Sequence, residues 1–283
     1  MIPAKFSYER AGTVDEALTM LAKHGDDAKI LAGGHSLIPA MKLRLNQPGV
    51  LIDIGRIAEL RYIKDAGDHI AIGAGATHTD LAESDAFSDG LELWNEAAKL
   101  IGDPQVRHKG TLGGSLAHAD PAADWPAVVI ASEGTIVVKG PNGQREVAAT
   151  DFFTGFYMTD LQPNELIIEV RVPKPPAGST SSYQKFMQPA SRFAIVGCAA
   201  IVTKSGDTCE RVRIGMTGVA DGPYRAQAVE DALTGKSLTE ENVEAAVQKA
   251  AEGAAVMGDH FAGEEYREHL ARVYARRAIM AAQ

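Results

Sequence analysis

The sequence predicts an α+β protein built in two parts. Three observations predict it. The 283-residue chain is 45% hydrophobic, which is ample for a core and long for one domain. The run Pro173 to Ser182 is made of prolines and small polar residues that disfavour regular structure. Beyond that run come three strand-like segments followed by three helical ones, the pattern of a sheet covered by a helical layer.

The elements follow in order. Phe6 to Tyr8 reads as a short strand. Thr13 with Glu16 three residues on reads as a capping box. Ala17, Leu18, Leu21 and Ala22 form one face of the helix that follows, and Gly25 stops it. Ala28 to Ala32 reads as a buried strand running into Gly33-Gly34-His35-Ser36, and Val50 to Ile54 as another. Tyr62 to Lys64 and His69 to Ile72 form a hairpin through Ala66-Gly67-Asp68. A helix covers Leu91 to Leu100, and a glycine-rich segment spans Gly110 to Ser115. Ile136 to Val138 and Glu146-Val147 flank the turn Pro141-Asn142-Gly143, and Glu165 to Val172 is a further strand. After the break, strands are expected at Tyr183–Met187, Ala194–Thr203 and Cys209–Thr217, with a turn at Ser205-Gly206-Asp207. Helices close the chain at Ala226–Leu233, Glu240–Glu252 and Glu264–Ala281. No internal repeat is present.

Composition narrows the function. The chain carries 37 acidic and 28 basic residues, a formal charge of −9, and no dense Lys/Arg run. That balance argues against nucleic acid as a partner. No apolar stretch approaches the roughly 20 residues of a membrane helix, and Met1 to Phe6 lacks a secretion-signal pattern. Cys198 and Cys209 lack the number and spacing for an iron–sulfur or zinc site, so two reduced thiols are expected.

Two segments offer chemistry. In Ala32-Gly33-Gly34-His35-Ser36-Leu37 a strand ends in paired glycines and a serine placed to cap a short helix. Such a turn gathers backbone N–H groups into a concave cradle for a phosphate or diphosphate, and Ser36 adds a hydroxyl. The alternative is a plain turn between strand and helix. Thr111-Leu112-Gly113-Gly114-Ser115 repeats the pattern and leads to Asp124, which has the chemistry to accept from a ribose or ribityl hydroxyl or to serve as a turn carboxylate. Together the loops are suited to hold two phosphates of a dinucleotide from opposite sides.

Other nucleotide and catalytic patterns fail. Neither loop is a P-loop, and Gly73-Ala74-Gly75 lacks the third glycine of a Rossmann fingerprint, so it is read as backbone packing. The eight histidines form no zinc arrangement, and His35 and His118 are read as hydrogen-bonding loop residues. No G-x-S-x-G elbow or Ser/His/Asp set supports hydrolysis.

The motifs Ala32 to Ser36 and Thr111 to Ser115 resemble the two FAD-binding motifs of the molybdenum hydroxylase flavoprotein subunits. That group includes the medium subunit of carbon monoxide dehydrogenase and the flavin domain of xanthine dehydrogenase. Val106-Arg107, Ala119 to Asp124, Gly215 to Ala220 and the final helices extend the likeness over essentially the whole chain. The resemblance implies a two-part FAD domain of the vanillyl-alcohol-oxidase type at residues 1–176 and a smaller α+β domain at 177–283. It implies that Ala32, Gly33, Gly34, His35, Ser36 and Leu37, with Thr111, Gly113, Gly114 and Ser115, cradle the FAD diphosphate. Ile101 and Ile167 match apolar positions beside the flavin, Asp124 an acidic contact, and Lys185 falls near a basic position. No catalytic side chain and no metal ligand are implied for this chain.

Three departures stand out. Ser115 replaces a frequent Asn. Phe193 stands where a Tyr is common near the flavin ring, keeping the aromatic face without the hydroxyl. Met187 and Gln188 replace basic residues, which favours relatives acting on aldehydes or N-heterocycles over carbon monoxide dehydrogenase itself. The resemblance further implies a large partner with the molybdenum cofactor, a small partner with two [2Fe–2S] clusters, an external electron acceptor and a dimer of heterotrimers. The complex is expected in the cytoplasm, with partners able to bring it to the inner face of the membrane. Two rival readings are a free-standing flavin oxidoreductase of the same fold and a non-redox nucleotide-binding protein.

Overall fold

A computed structural model describes all 283 residues. Strand β1 (Ser7–Arg10), helix α1 (Val14–His24), β2 (Ala28–Leu31), α2 (Leu37–Lys42) and β3 (Val50–Asp53) form a first lobe. Its three strands are parallel in the order β1-β3-β2. Thr13 caps α1 by accepting from the Glu16 N–H at 3.1 Å. The Glu16 carboxylate returns to Gly12 at 2.6 Å and not to Thr13, so only half of the expected capping box forms. The buried stripe is Val14, Ala17 and Leu21, with Leu18 at its margin; Ala22 faces solvent, one position outside it.

The second lobe opens with β4 (Ile63–Asp65), β5 (His69–Gly73), α3 (His78–Ala82) and α4 (Leu93–Leu100). It continues through α5 (Pro104–Arg107), α6 (Leu112–His118) and α7 (Asp124–Ala131) to the hairpin β6 (Thr135–Gly140) and β7 (Gly143–Ala148). Helix α8 (Ala149–Phe152), a small hairpin of β8 (Phe153–Gly155) and β9 (Met158–Thr159), and β10 (Leu166–Pro173) complete it. The sheet is antiparallel, in the order β4-β5-β10-β6-β7.

The last part is a sheet of β11 (Ser179–Met187), β12 (Ala194–Ser205), β13 (Thr208–Thr217) and β14 (Tyr224–Arg225). It is covered by α9 (Gln227–Leu233), α10 (Glu240–Val247) and α11 (Glu264–Ala281). Ser179 to Ser182, read as irregular, are ladder residues paired with Thr203 to Ala200. Their small polar side chains suit a strand covered on both sides: Ser181 accepts from the Leu93 N–H of α4, and Thr180 donates to the Ala282 carbonyl. A fourth strand joins the three expected, and α10 ends at Val247, short of Glu252.

Helix α7 organises the molecule. All eight of its residues are buried, as expected of a helix that is apolar all round. It packs against β12 and β13, and a Cβ on Gly215 of β13 would lie 2.0 Å from the Ala127 carbonyl oxygen. The core around Trp94 and Trp125 also takes in Tyr183, Ala199 and Ile201, so it runs without interruption into the last sheet. No helix is long and apolar enough to cross a membrane.

Candidate functional site

A cleft of about 1030 Å³ receives residues from all three parts. That volume lies at the upper end of the roughly 300–1,000 Å³ of small-molecule and cofactor sites. Six Lys/Arg line it (Arg10, Lys29, Arg56, Arg61, Lys109, Arg192) against four Asp/Glu (Asp53, Asp120, Asp124, Glu165). A chain of net charge −9 therefore presents a cationic cleft, which favours an anionic ligand.

The first wall comes from β2, expected as a buried strand. It is an edge strand with only Ala28 fully buried, because Ile30 and Leu31 face the cleft. The chain then turns through Gly34 at φ +76° into α2. Six consecutive backbone N–H groups, Ala32 to Leu37, have no acceptor within the protein. Such a run of donors on a concave turn suits an acceptor-rich ligand. Ser36 occupies the N-cap of α2 but makes no capping bond, leaving its hydroxyl free. His35 is exposed and its Nδ1 lies 3.1 Å from its own loop's Gly33 carbonyl, as read for a loop histidine.

The second wall is the Thr111 to Ser115 turn at the start of α6. Its amides are taken, Thr111 excepted. Leu112 and Gly113 donate to the Ala76 and Ala74 carbonyls, and Gly114 donates to Thr111 Oγ1 at 3.2 Å. The two loops are therefore unequal, against the expectation of two amide cradles. The first offers N–H groups, and the second offers the unpaired Ser115 hydroxyl and a close-fitting backbone. Gly33 is where they meet: a Cβ there would lie 2.1 Å from the Lys109 carbonyl oxygen.

Gly73 to Thr77 behaves as the backbone packing expected of it, since a Cβ on Gly73 would lie 2.3 Å from the Leu60 carbonyl oxygen. It also docks the second loop and brings His78 to the cleft, a residue the sequence reading passed over. Burial pushes the His78 imidazole down to about 3, with the charges of His35 and Arg107 adding to the effect. Trp125 Nε1 donates to His78 Nδ1 at 3.0 Å, so the neutral ring carries its proton on Nε2. The signal available was Thr77-x-x-Asp80, a complete capping box that starts α3 at His78.

Asp124 reaches the cleft from the first turn of α7 and is 5% exposed. It accepts from Tyr183 Oη at 2.5 Å and Lys185 Nζ at 2.9 Å. Burial pushes its carboxyl up, while the Lys185 ammonium and the Tyr183 hydroxyl pull it back. Ile101, Ile167 and Phe193 also line the cleft, Phe193 at 42% exposure near its mouth. Of the expected site residues, Lys185 alone does not line it. Its side chain is 0% exposed, and its ammonium also donates to the Leu100 carbonyl at 3.1 Å, so it reaches the cleft only through Asp124.

A diphosphate has only acceptor atoms and negative charge, and the free amides, free hydroxyls and cationic lining of this cleft fit it. Comparison with known proteins agrees. Residues 4–175 match the family described as the FAD binding domain in molybdopterin dehydrogenase, and residues 181–282 match the CO dehydrogenase flavoprotein C-terminal domain. The chain is 44% identical over 282 residues to the carbon monoxide dehydrogenase medium chain of Hydrogenophaga pseudoflava, covering 100% of this chain and 98% of that one. It is 36% identical over 280 residues to the 6-hydroxypseudooxynicotine dehydrogenase complex subunit alpha of Paenarthrobacter nicotinovorans, covering 99% and 95%. The solved carbon monoxide dehydrogenase of Hydrogenophaga pseudoflava that lacks the Mo-pyranopterin moiety has a chain matching with a TM-score of 0.96 at 46% identity. That match covers 100% of this chain and 98% of that one. The fold and the FAD cofactor implied by the sequence resemblance are thereby borne out. The chain belongs to the FAD-binding flavoprotein subunits of the molybdenum-containing dehydrogenases.

Proposed function

We propose that this chain is the electron-transfer subunit of a three-subunit molybdenum hydroxylase. A large partner with the molybdenum cofactor oxidises the substrate by two electrons. A small partner with two [2Fe–2S] clusters relays them to this chain, which delivers them to an external acceptor such as oxygen, a quinone or another carrier. When bound, FAD supplies the redox chemistry that joins one-electron to two-electron transfer. The substrate, carbon monoxide, an aldehyde or an N-heterocycle, is selected on the large subunit. The assembly is a dimer of heterotrimers in the cytoplasm, with partners able to bring it to the inner face of the membrane.

The run of free amides from Ala32 to Leu37 carries the reading for this chain's own part. Those groups and Ser36 would hold the diphosphate, with Thr111, Gly113, Gly114 and Ser115 closing the opposite side. Ile101 and Ile167 would exclude water from the apolar ring system, and Phe193 would offer an aromatic face. Asp124 would accept from hydroxyls of the cofactor, and Lys185 would act through it. No side chain here serves as a nucleophile or general base. This layout divides the chain into an FAD-binding part at 1–176 and a C-terminal part at 177–283.

Affinity purification of the chain from its host, with a visible spectrum and metal analysis of the co-purifying material, tests the proposal. Flavin with iron, molybdenum and two companion polypeptides is expected. Flavin on a stable single-subunit enzyme would replace the proposal with a free-standing oxidoreductase.

A further inference from the structure

Tyr157 stands at the tip of the β8–β9 hairpin with φ +55°. That left-handed backbone is costly for any residue with a Cβ and free for glycine. Strain of this kind persists where the surroundings hold it, often at ligand clamps. The surroundings are specific. Tyr157 Oη donates to Asp120 Oδ2 at 3.0 Å, across 37 residues of sequence, and the ring tilts against His118 with centroids 5.1 Å apart.

The other end of that contact is well anchored. Asp120 Oδ1 accepts from the Ala122 N–H at 2.9 Å. The Pro121 carbonyl accepts from Gly218 N–H and Thr217 Oγ1, tying the turn to the end of β13. His118 is the last residue of α6, whose first turn carries Gly113, Gly114 and Ser115. Tyr157, His118 and Asp120 all line the FAD cleft. Tyr157, itself 45% exposed, therefore joins a two-strand hairpin, with Phe156 and Met158 at 54% and 60% exposure, to the hydrogen-bonded Asp120 turn of the cleft. Burial and the Asp120 carboxylate push the tyrosine hydroxyl up, so it remains a donor across the physiological range.

We propose that Tyr157 is a cofactor-retaining residue. Its ring forms part of the wall over bound FAD, and its hydrogen bond to Asp120 latches the hairpin in place, so that it governs how fast FAD leaves. A purely architectural role would stabilise the chain equally with and without FAD. A retaining role acts on the release rate.

The test uses full-length, FAD-loaded protein and two variants, Tyr157→Phe and Tyr157→Gly. After rapid dilution, gel filtration at timed intervals reads the flavin absorbance still on the protein, and the melting temperature of FAD-free chain is measured in parallel. Losing a hydrogen bond to a charged acceptor is expected to speed release about tenfold in Tyr157→Phe, with the FAD-free melting temperature nearly unchanged. Tyr157→Gly removes the backbone strain and is still expected to release FAD at least as fast as Tyr157→Phe. Release within about twofold of wild type in Tyr157→Phe would overturn the proposal. So would faster release accompanied by a matching loss of FAD-free stability.

Discussion

Replacing Lys185 by methionine tests the charge arrangement behind the cleft. Lys185 has a fully buried side chain, and its ammonium is shared between Asp124 at 2.9 Å and the Leu100 carbonyl at 3.1 Å. Methionine keeps most of the volume and removes the charge. The Asp124 carboxylate would then be buried with the Tyr183 hydroxyl as its remaining side-chain partner. Breaking a buried pair in this way costs about 3–5 kcal/mol. Asp124 has one route to lower that cost, which is to take up a proton. Burial already raises its carboxyl above the ordinary 3.8, and loss of Lys185 raises it further. A folded-state value above the unfolded one means that the folded chain binds the proton more tightly. The variant is thus most stable below the unfolded value and loses stability as pH rises toward the folded one, by up to about 1.4 kcal/mol per pH unit. Urea unfolding of the FAD-free chain at pH 5 and pH 8 reads this directly. The Lys185→Met penalty should be near its full size at pH 8 and smaller at pH 5. The double variant Asp124→Asn/Lys185→Met should recover most of it, since no charge is left stranded. A single variant within about 0.5 kcal/mol of wild type at both pH values, or a double variant no better than the single, would refute the reasoning.

Gly33→Ala places a Cβ 2.1 Å from the Lys109 carbonyl oxygen, against backbone that cannot rotate away. It should cost about 1–3 kcal/mol of stability and weaken FAD uptake by an order of magnitude or more, read by thermal unfolding and FAD titration. Ser115→Ala removes a hydroxyl with no protein partner, so the FAD-free melting point should hold while FAD affinity falls by about threefold to tenfold. Both cysteines are 0% exposed and burial pushes their thiols up, so a thiol reagent should label neither in the native chain and both in urea. Fast labelling of Cys198 under native conditions would contradict the buried β12–β13 sheet.

Periodicity, caps and turn residues, all local properties, were enough to locate α1, the hairpins β4–β5 and β6–β7, and the sheet-then-helices order of the last part. Motif spacing was enough to single out both glycine loops and Asp124. Tertiary structure decided what those pieces do to one another. Whether an amide is free depends on which carbonyl lies opposite it in space, so the sequence showed two similar glycine loops where only Ala32 to Leu37 carries a run of unpaired amides. Burial of Ser179 to Ser182 depends on α4 and the chain's end closing over them, so a stretch of small polar residues that reads as a linker became a strand. Lys185 reads as a candidate ligand contact, yet the strand places it behind Asp124, where its ammonium opposes the effect of burial on that carboxyl without lining the cleft. Tyr157 and His78 carry no motif of their own. Their positions come from contacts 37 and 47 residues away, a distance over which residue order says nothing until the chain has folded.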